Sequence, residues 1–367
     1  MIPESMKAVV YHGPNDLRLE NLPVPRIKPG ELLVKVAACG VCPTDIKKIQ
    51  YGTVTPPRVF GHETAGTVVR VGPRVRGYRL GDRVALHHHV PCLHCHACKH
   101  RAFAQCPQYK RTGITAGFEP AGGGYAEYVR VLPFVLPGVV RIPSRNSFLE
   151  GAMLEPVNTV LKAVRRLQLL RGDIVLVAGQ GPIGLIFTRL LTLAGMRVLA
   201  TDLLPNRLTL AHEFGAKWSA IPNAANPILS RKKQVEEGLV ELVLRITRGR
   251  GLDAAVLAVP SDEAMREARS LLRGAGQLLL FSHTRRGVAT SLDLATICVD
   301  EKDLIGSYSA DFLLQREVAH LVFSRKLDVR GLISHTFPLE QTIAGISLAS
   351  HPTPESLKLV VTQGLGP

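Results

Sequence analysis

The sequence predicts an α/β chain in two parts, a mainly β domain followed by a doubly wound parallel sheet, with a tail that rejoins the first part. Three observations carry this. Roughly the first 150 residues are rich in Gly, Pro and Val, and their apolar runs are short and cut by turn residues. From about residue 157, strand-like and helix-like segments alternate, which is the rhythm of βαβ units. Between the first such strand and its helix stands Gly179-Gln180-Gly181-Pro182-Ile183-Gly184, a G-x-G-x-x-G turn.

Taken in order, Lys7–Val10 reads as a first strand, and Leu32–Val36, Ala65–Val71 and Arg83–Leu86 as further strands, with bends at Pro29-Gly30 and Gly81-Asp82. Val157–Leu169 reads as a helix, Ile174–Ala178 as a buried strand and Gly184–Ala194 as a helix. Val198–Thr201 is the next strand and Arg207–Phe214 the next helix. Glu236–Thr247 follows as helix, Ala254–Ala258 as strand, Glu263–Leu272 as helix and Gln277–Phe281 as strand. This alternation gives a doubly wound sheet of Rossmann type. The expected boundaries are 1–156 for the first domain, 157–303 for the cofactor domain and 304–367 for a segment returning to the first. The return is expected because a lone tail of about 60 residues would bury little surface.

Composition narrows the function. Hydrophobic residues make up 46% of the 367, which is globular rather than disordered. No apolar run approaches the roughly 20 residues that span a bilayer. The opening Met1-Ile2-Pro3-Glu4-Ser5-Met6-Lys7 lacks the order of a secretory signal, so a cytoplasmic location with reduced thiols is expected. Net charge is +15, which favours anionic ligands. Lys and Arg are nonetheless scattered, and the 5% of aromatics do not interleave with the short basic clusters, so neither nucleic acid nor membrane is an expected partner.

The glycine turn has the strand–turn–helix context a dinucleotide site requires. The first Gly allows the tight turn, the second the approach of a pyrophosphate, and the third close packing of helix on strand. The pyrophosphate would sit on the helix N-terminus. Asp202 follows 23 residues after Gly179, at the end of the next strand. A carboxylate there accepts from both ribose hydroxyls and repels a 2′-phosphate, which favours NAD over NADP. Arg207 stands where it could cap the same ribose or approach the phosphate.

Two sets of metal-ligating residue types occur. Cys92, Cys95, Cys98 and Cys106 have the spacing C-x2-C-x2-C-x7-C, in a lobe of about residues 87–110. Four thiolates close a tetrahedron around Zn²⁺ and leave no open position, so this metal would be structural. The second set is Cys42, His62 and Glu63, with Glu155 at the domain junction. Three protein ligands and a water would make an open, catalytic zinc; a buried thiol and a hydrogen-bonded core histidine are the plain alternative.

The combination resembles the zinc-dependent medium-chain alcohol dehydrogenase family. The resemblance covers nearly the whole chain and rests on Cys42 with Thr44 and Asp45, Gly61-His62-Glu63, Gly81-Asp82-Arg83-Val84, the four-cysteine lobe, Glu155-Pro156, and the glycine turn with Asp202. It implies a GroES-like catalytic domain, two zinc ions per chain and NAD. It implies that Cys42 and His62 ligate the catalytic zinc and that Glu63 lies beside it and ligates transiently. Glu155 holds the position of the third ligand, directly or through water; Glu before Pro at this point marks the polyol (sorbitol) and threonine dehydrogenase-like branch. Thr44 matches the hydroxyl that contacts the substrate oxygen, and Asp45 would orient the ligands through hydrogen bonds.

Two positions depart from the family pattern: the relay histidine is Lys47, and the arginine after the ligand cysteine is Pro43. His87-His88-His89 precedes the lobe, and alternation along an extended chain lets at most one or two of the three reach one site. His89 resembles a threonine dehydrogenase position near substrate. Cys39 and Cys298 lack ligand partners and are expected to be small buried hydrophobes. The expected activity is hydride transfer from a secondary alcohol to NAD⁺, the donor being a polyol, sugar alcohol or similar hydroxy compound. Threonine or a phosphorylated sugar alcohol is the alternative substrate. A non-catalytic nucleotide or redox sensor on the same fold is the competing class, and the intact Cys42, His62 and Glu155 set argues against it. A homodimer or homotetramer is expected by family analogy.

Overall fold

The computed structural model describes residues 1–87, 90–111, 121–222, 238–282 and 287–364. Two compact units are present: Met1–Asn158 together with Ser309–Pro367, and Thr159–Tyr308.

The first unit opens with β1 (Ser5–Gly13), β2 (Asp16–Pro23) and β3 (Leu32–Gly40), then α1 (Pro43–Tyr51), β4 (Arg58–Val59), β5 (Glu63–Val71) and β6 (Arg83–Ala85). Short helices α2 (His96–Lys99) and α3 (Pro107–Arg111) carry the cysteine lobe, and β7 (Tyr128–Val131), β8 (Val140–Arg141) and α4 (Phe148–Ala152) follow. β3 is buried almost throughout, only Lys35 being exposed, because it is paired on both sides. Tyr11 and Phe60 meet edge to face at 5.4 Å in the core beneath it. α1 is set by its ends: Pro43 fixes φ at the first helical position, and Gly52 closes the helix in a left-handed conformation (φ 62°). Ile46 and Ile49 are its buried face.

α5 (Leu154–Val164) carries the chain into the second unit. There β9 (Ile174–Ala178), α6 (Pro182–Leu193), β10 (Arg197–Thr201), α7 (Pro205–Glu213), β11 (Trp218–Ala220), α8 (Leu239–Thr247), β12 (Leu252–Leu257), α9 (Asp262–Ser270), β13 (Leu272–Leu280), α10 (Leu294–Val299) and β14 (Asp303–Gly306) alternate. The strands pair in parallel in the order β11-β10-β9-β12-β13-β14, the doubly wound arrangement with its reversal beside β9. β9 is apolar at every position because the sheet buries both its faces.

The chain then returns to the first unit as α11 (Gln315–Phe323), β15 (Ile333–Pro338), α12 (Thr342–Ser350) and β16 (Lys358–Thr362). β16 lies antiparallel on β3, with Val360 opposite Gly40, and completes a seven-stranded sheet. Asn158, wholly buried, fastens the return. Its Nδ2 donates to Gln315 Oε1 (3.0 Å) and its Oδ1 accepts from the Asp311 N–H (2.8 Å).

Several boundaries differ from expectation. The helix expected over 157–169 runs from Leu154 to Val164; Pro156 sits in its first turn, where a missing N–H costs nothing. The strand expected from Gln277 begins at Leu272, and the helix expected from Glu236 begins at Leu239 among the described residues. β11 and β14, of 3 and 4 residues, are too short to show a period. Cys39 is buried as expected, but Cys298 is exposed, because α10 buries none of its residues. Among the described residues no helix is long and apolar enough to cross a membrane.

Candidate metal centre and cofactor turn

The ligand atoms of Cys42, His62 and Glu63 lie within 4.8 Å of one another. Three local features bring them together. Cys42 is the N-cap of α1, in an extended conformation (φ −110°, ψ 134°). His62 and Glu63 follow Gly61, whose φ of 97° admits the turn into β5. Glu63 pairs with Gly40 across the β3–β5 ladder, next to the loop that holds Cys42.

Asp45, buried in the first turn of α1, fixes the imidazole. His62 Nδ1 donates to Asp45 Oδ2 at 3.0 Å, and the same oxygen accepts from the Gly61 N–H at 3.2 Å. This leaves Nε2 of His62 as the ligand atom, the usual division of labour in a carboxylate–histidine–metal arrangement. Burial pushes the His62 ring down, but Asp45 and Cys42 outweigh it and hold the ring well above the ordinary histidine range. Such a pocket is built to stabilise positive charge. A cation held by a thiolate, an imidazole and a carboxylate suits it, and zinc favours that donor set.

Glu155 stands outside this trio. It lies in the first turn of α5, 6% exposed, and burial raises its carboxyl to about 7, with His62 pulling it down and Glu63 pushing it up. Thr44 and Lys47 are half-buried on α1 beyond Cys42. Burial holds the Lys47 ammonium below the ordinary lysine range, and Cys42 partly offsets this. His89, with His88, lies outside the described residues, while His87 is fully buried.

One residue that the sequence reading missed reaches the centre. Lys358, at the start of β16, is buried with its Nζ 2.6 Å from Glu63 Oε1 and 2.9 Å from the Val41 carbonyl oxygen. A lysine heading the apolar run Leu359-Val360-Val361 hints at a buried charge, but nothing in the sequence names its partner.

In the lobe, Cys92, Cys95, Cys98 and Cys106 also place their sulfurs within 4.8 Å of one another. Cys92 and Cys98 are 3.9 Å apart and Cys95 and Cys98 3.4 Å, against about 3.8 Å for sulfurs at tetrahedral corners around zinc. No two of the chain's seven cysteines are joined. The His94 N–H pulls the Cys92 thiol down to about 6. Burial pushes Cys106 up, but N–H groups of Cys92 and Tyr109 outweigh it and leave it below the ordinary thiol range. Burial and the neighbouring thiols send Cys98 up to about 12. Backbone N–H···S bonds of this kind favour thiolates, the form that binds metal.

In the second unit each glycine of the turn has its reason. Gly179 has φ 89°, and a Cβ there would meet Val259 at 2.3 Å. A Cβ on Gly184 would lie 1.7 Å from the Gly179 carbonyl oxygen, so only glycine lets α6 pack on β9. Gly181, the N-cap of α6, faces open space, which suits the approach of a phosphate. Pro182 and Ile183 form the first turn of α6. Asp202 is held by two N–H donors: Gln180 to Oδ2 at 2.6 Å and Leu204 to Oδ1 at 2.9 Å. Each oxygen keeps a further lone pair for a hydroxyl. Arg207 is buried in α7.

A site of one cysteine, one histidine and one glutamate, a site of four cysteines and a doubly wound unit with a dinucleotide-type turn define the class, a zinc-binding dehydrogenase. Comparison with known proteins agrees. Residues 28–143 match the family described as alcohol dehydrogenase GroES-like domain, and residues 182–324 match zinc-binding dehydrogenase. The chain is 31% identical over 348 residues to sorbitol dehydrogenase of Bombyx mori, covering 93% of this chain and 94% of that one. It is 30% identical over 367 residues to erythritol/L-threitol dehydrogenase of Mycolicibacterium smegmatis, covering 95% of each. A solved zinc-binding dehydrogenase from Sinorhizobium meliloti 1021, bound to NADP, superposes with a TM-score of 0.85 at 27% identity, covering 98% of this chain and all of that one. The chain therefore belongs to the zinc-dependent medium-chain alcohol dehydrogenases, in the polyol dehydrogenase branch. It is an alcohol oxidoreductase acting on small molecules.

Proposed function

We propose that this chain oxidises a secondary hydroxyl of a polyol or sugar alcohol with NAD⁺ as acceptor. Cys42, His62 and Glu63 would hold one zinc at the reacting site, and Cys92, Cys95, Cys98 and Cys106 a second for structure alone. The observation that carries this reading is the gathering of the first three ligand atoms within 4.8 Å, with Asp45 orienting His62. Three protein ligands would leave the ion accessible to an alcohol substrate. When bound, zinc supplies a Lewis acid that eases loss of the alcohol proton near neutral pH, and NAD⁺ supplies the hydride acceptor.

The chain's own residues do the rest. Thr44, two residues past Cys42, takes the alcohol proton as it gives up its own hydroxyl proton to solvent water, and Lys47 stands one turn further along α1. Glu155 would hold the metal directly or through a water. The turn at Gly179, Gly181, Pro182, Ile183 and Gly184 receives the pyrophosphate at the start of α6. Asp202 takes the ribose hydroxyls, and Arg207 caps the same ribose. Asp202 supports NAD⁺ over NADP⁺ because its charge disfavours a 2′-phosphate, whereas the Sinorhizobium relative holds NADP. The reading also takes the chain to act in the cytoplasm as a homodimer or homotetramer. The exposed apolar side chains of Leu294, Val299, Leu304 and Tyr308 near the β14 edge support self-association.

The test is a substrate panel of polyols, threonine, sugar phosphates, butanediol and simple alcohols, run with NAD⁺ and NADP⁺ in parallel, alongside metal analysis. Expected are polyol-dependent NADH formation, a preference for NAD⁺, and two zinc ions per chain. Cys42→Ala should lose turnover and one zinc while keeping the other zinc and NADH binding. Undiminished turnover in that variant, or zinc-replete protein inert towards every polyol, would overturn the proposal.

A further inference from the structure

The cysteine lobe carries a second kind of metal-ligating side chain. His94, His96 and His100 stand among Cys92, Cys95 and Cys98, and no Asp or Glu occurs from Cys92 to Cys106. His96 begins the single turn of α2 and His100 closes it. The Lys99 N–H donates to the Cys95 carbonyl oxygen at 3.0 Å, and the His100 N–H donates to the His96 carbonyl oxygen at 3.2 Å, so helical spacing runs through His100. Residues four apart at that spacing share one face. Cys98, midway between the two histidines, is buried with Phe103, Cys106 and Tyr109 and anchors the turn. His96 and His100 are both exposed. His94 is engaged differently, its Nδ1 donating to the Cys92 carbonyl oxygen at 2.8 Å.

The two rings already lie close. Their centroids are 4.5 Å apart, with planes inclined at 51°. An imidazole nitrogen binds a zinc-like ion at about 2.0–2.1 Å with its ring centre about 1.2 Å behind it, so two rings held at a right angle have centres about 4.5 Å apart. Little rearrangement separates the observed pair from a chelating one. The four thiols fill a tetrahedron by themselves, so an ion on the imidazoles is an additional one. The surroundings select its type. Exposed Lys99 and Arg101 are the charged neighbours along the chain, and the lobe offers no carboxylate. A hard cation such as Mg²⁺ or Ca²⁺, which binds through oxygen, has nothing to hold it. An ion that bonds through nitrogen lone pairs does, with Cu²⁺ ahead of Ni²⁺ and Zn²⁺. The basic neighbours favour an ion that arrives with an anionic co-ligand.

We propose that His96 and His100 form a surface chelate for a borderline divalent transition-metal ion, separate from both cysteine-containing sites. Histidine is the commonest metal ligand, and two of them four apart on a helix face make a bidentate clasp. Two imidazoles hold an ion more weakly than four thiolates. The chelate therefore fills from added metal and empties on dialysis, and it adds to the ions at the other sites without replacing them. The inference does not depend on the reading of Cys42, His62 and Glu63.

The experiment uses full-length, zinc-replete protein and Cu²⁺–iminodiacetate, whose chelator keeps copper from the thiols and leaves positions for two imidazoles. Electron spin echo modulation counts the rings on copper, and titration gives the affinity. The parent should show two imidazoles per copper. His96→Gln and His100→Gln should each lose the two-ring signal and bind about 10-fold more weakly. His351→Gln, on a remote exposed histidine, should match the parent. Added Zn²⁺ should displace the copper complex, and Mg²⁺ should not. Zinc bound in the lobe, measured after dialysis, should be the same in all variants. A parent signal of one ring only, or a two-ring signal that survives in both single variants, overturns the inference. Loss of lobe zinc in His96→Gln or His100→Gln also overturns it, because the rings would then serve the four-cysteine site.

Discussion

Gly61 shows how a single backbone position governs the metal centre. Its φ of 97° is strained for any residue with a side chain, and a Cβ there would lie 2.8 Å from Cys39 Sγ and 2.9 Å from the Tyr125 ring and amide nitrogen. Its N–H shares Asp45 Oδ2 with the His62 imidazole, so a displaced Gly61 moves the carboxylate that aims the ligand. Gly61→Ala should cost about 1–3 kcal/mol of stability and lower the zinc content of the reacting site while sparing the lobe. Thermal unfolding combined with metal analysis checks this, and a variant with parental Tm and both metals would refute it. Residues of this kind were legible in unequal measure. Cys42, His62 and Glu63 stand out because their side chains are metal ligands by type. Lys358 does not, since its partner is 295 residues away and lysine is ordinarily a surface residue. Gly40 does not either, because a strand sequence does not say what faces it across the ladder.

Among the elements, α4 has five residues and is too short to hold itself. A reciprocal cap does so. The Glu150 N–H donates to Ser147 Oγ (3.1 Å), and the Ser147 N–H donates to Glu150 Oε2 (2.7 Å). Asn146 and Arg325 donate to the other carboxylate oxygen at 2.8 and 3.2 Å, tying α4 to the returning segment. Burial pushes the Glu150 carboxyl up, but these donors outweigh it and leave it below the ordinary range. A carboxyl whose folded pKa is depressed adds stability above its unfolded pKa of about 4.3, and loses it as pH falls through the folded value. Glu150→Gln should therefore destabilise at pH 7 and flatten the acid limb below about pH 4.3. Urea midpoints at neutral and acid pH test this, and equal losses at both would contradict it. The Ser-x-x-Glu spacing is visible in the sequence; Arg325 is not, because only the return of the chain brings it there. The same contrast runs through the second unit. β9 and α6 were legible because five consecutive apolar residues lead into glycines whose crowding admits no Cβ, whereas β11 and β14 are too short to carry a pattern.

At the scale of the molecule, the six-stranded sheet ends at β14, whose outward edge has no strand beyond it among the described residues. Exposed Leu304 lies on that strand, and Leu294 and Val299 on α10 before it. An exposed apolar edge is a template for pairing with a second copy. Light scattering should give at least twice the chain mass, and Leu304→Lys should shift the population towards single chains. A monomeric parent protein would refute this.

The first unit is assembled from two stretches of chain, and that imposes an order of events. On a ribosome, Cys42 and His62 emerge long before Lys358 does. Lys358 is the 296th residue after His62, and at about 5–20 residues per second the interval is about 15–60 s. Until then β3 lacks the strand that pairs with its Gly40 end, and the buried Glu63 carboxylate lacks its ammonium. The reacting site can therefore be completed only once residue 358 has been synthesised.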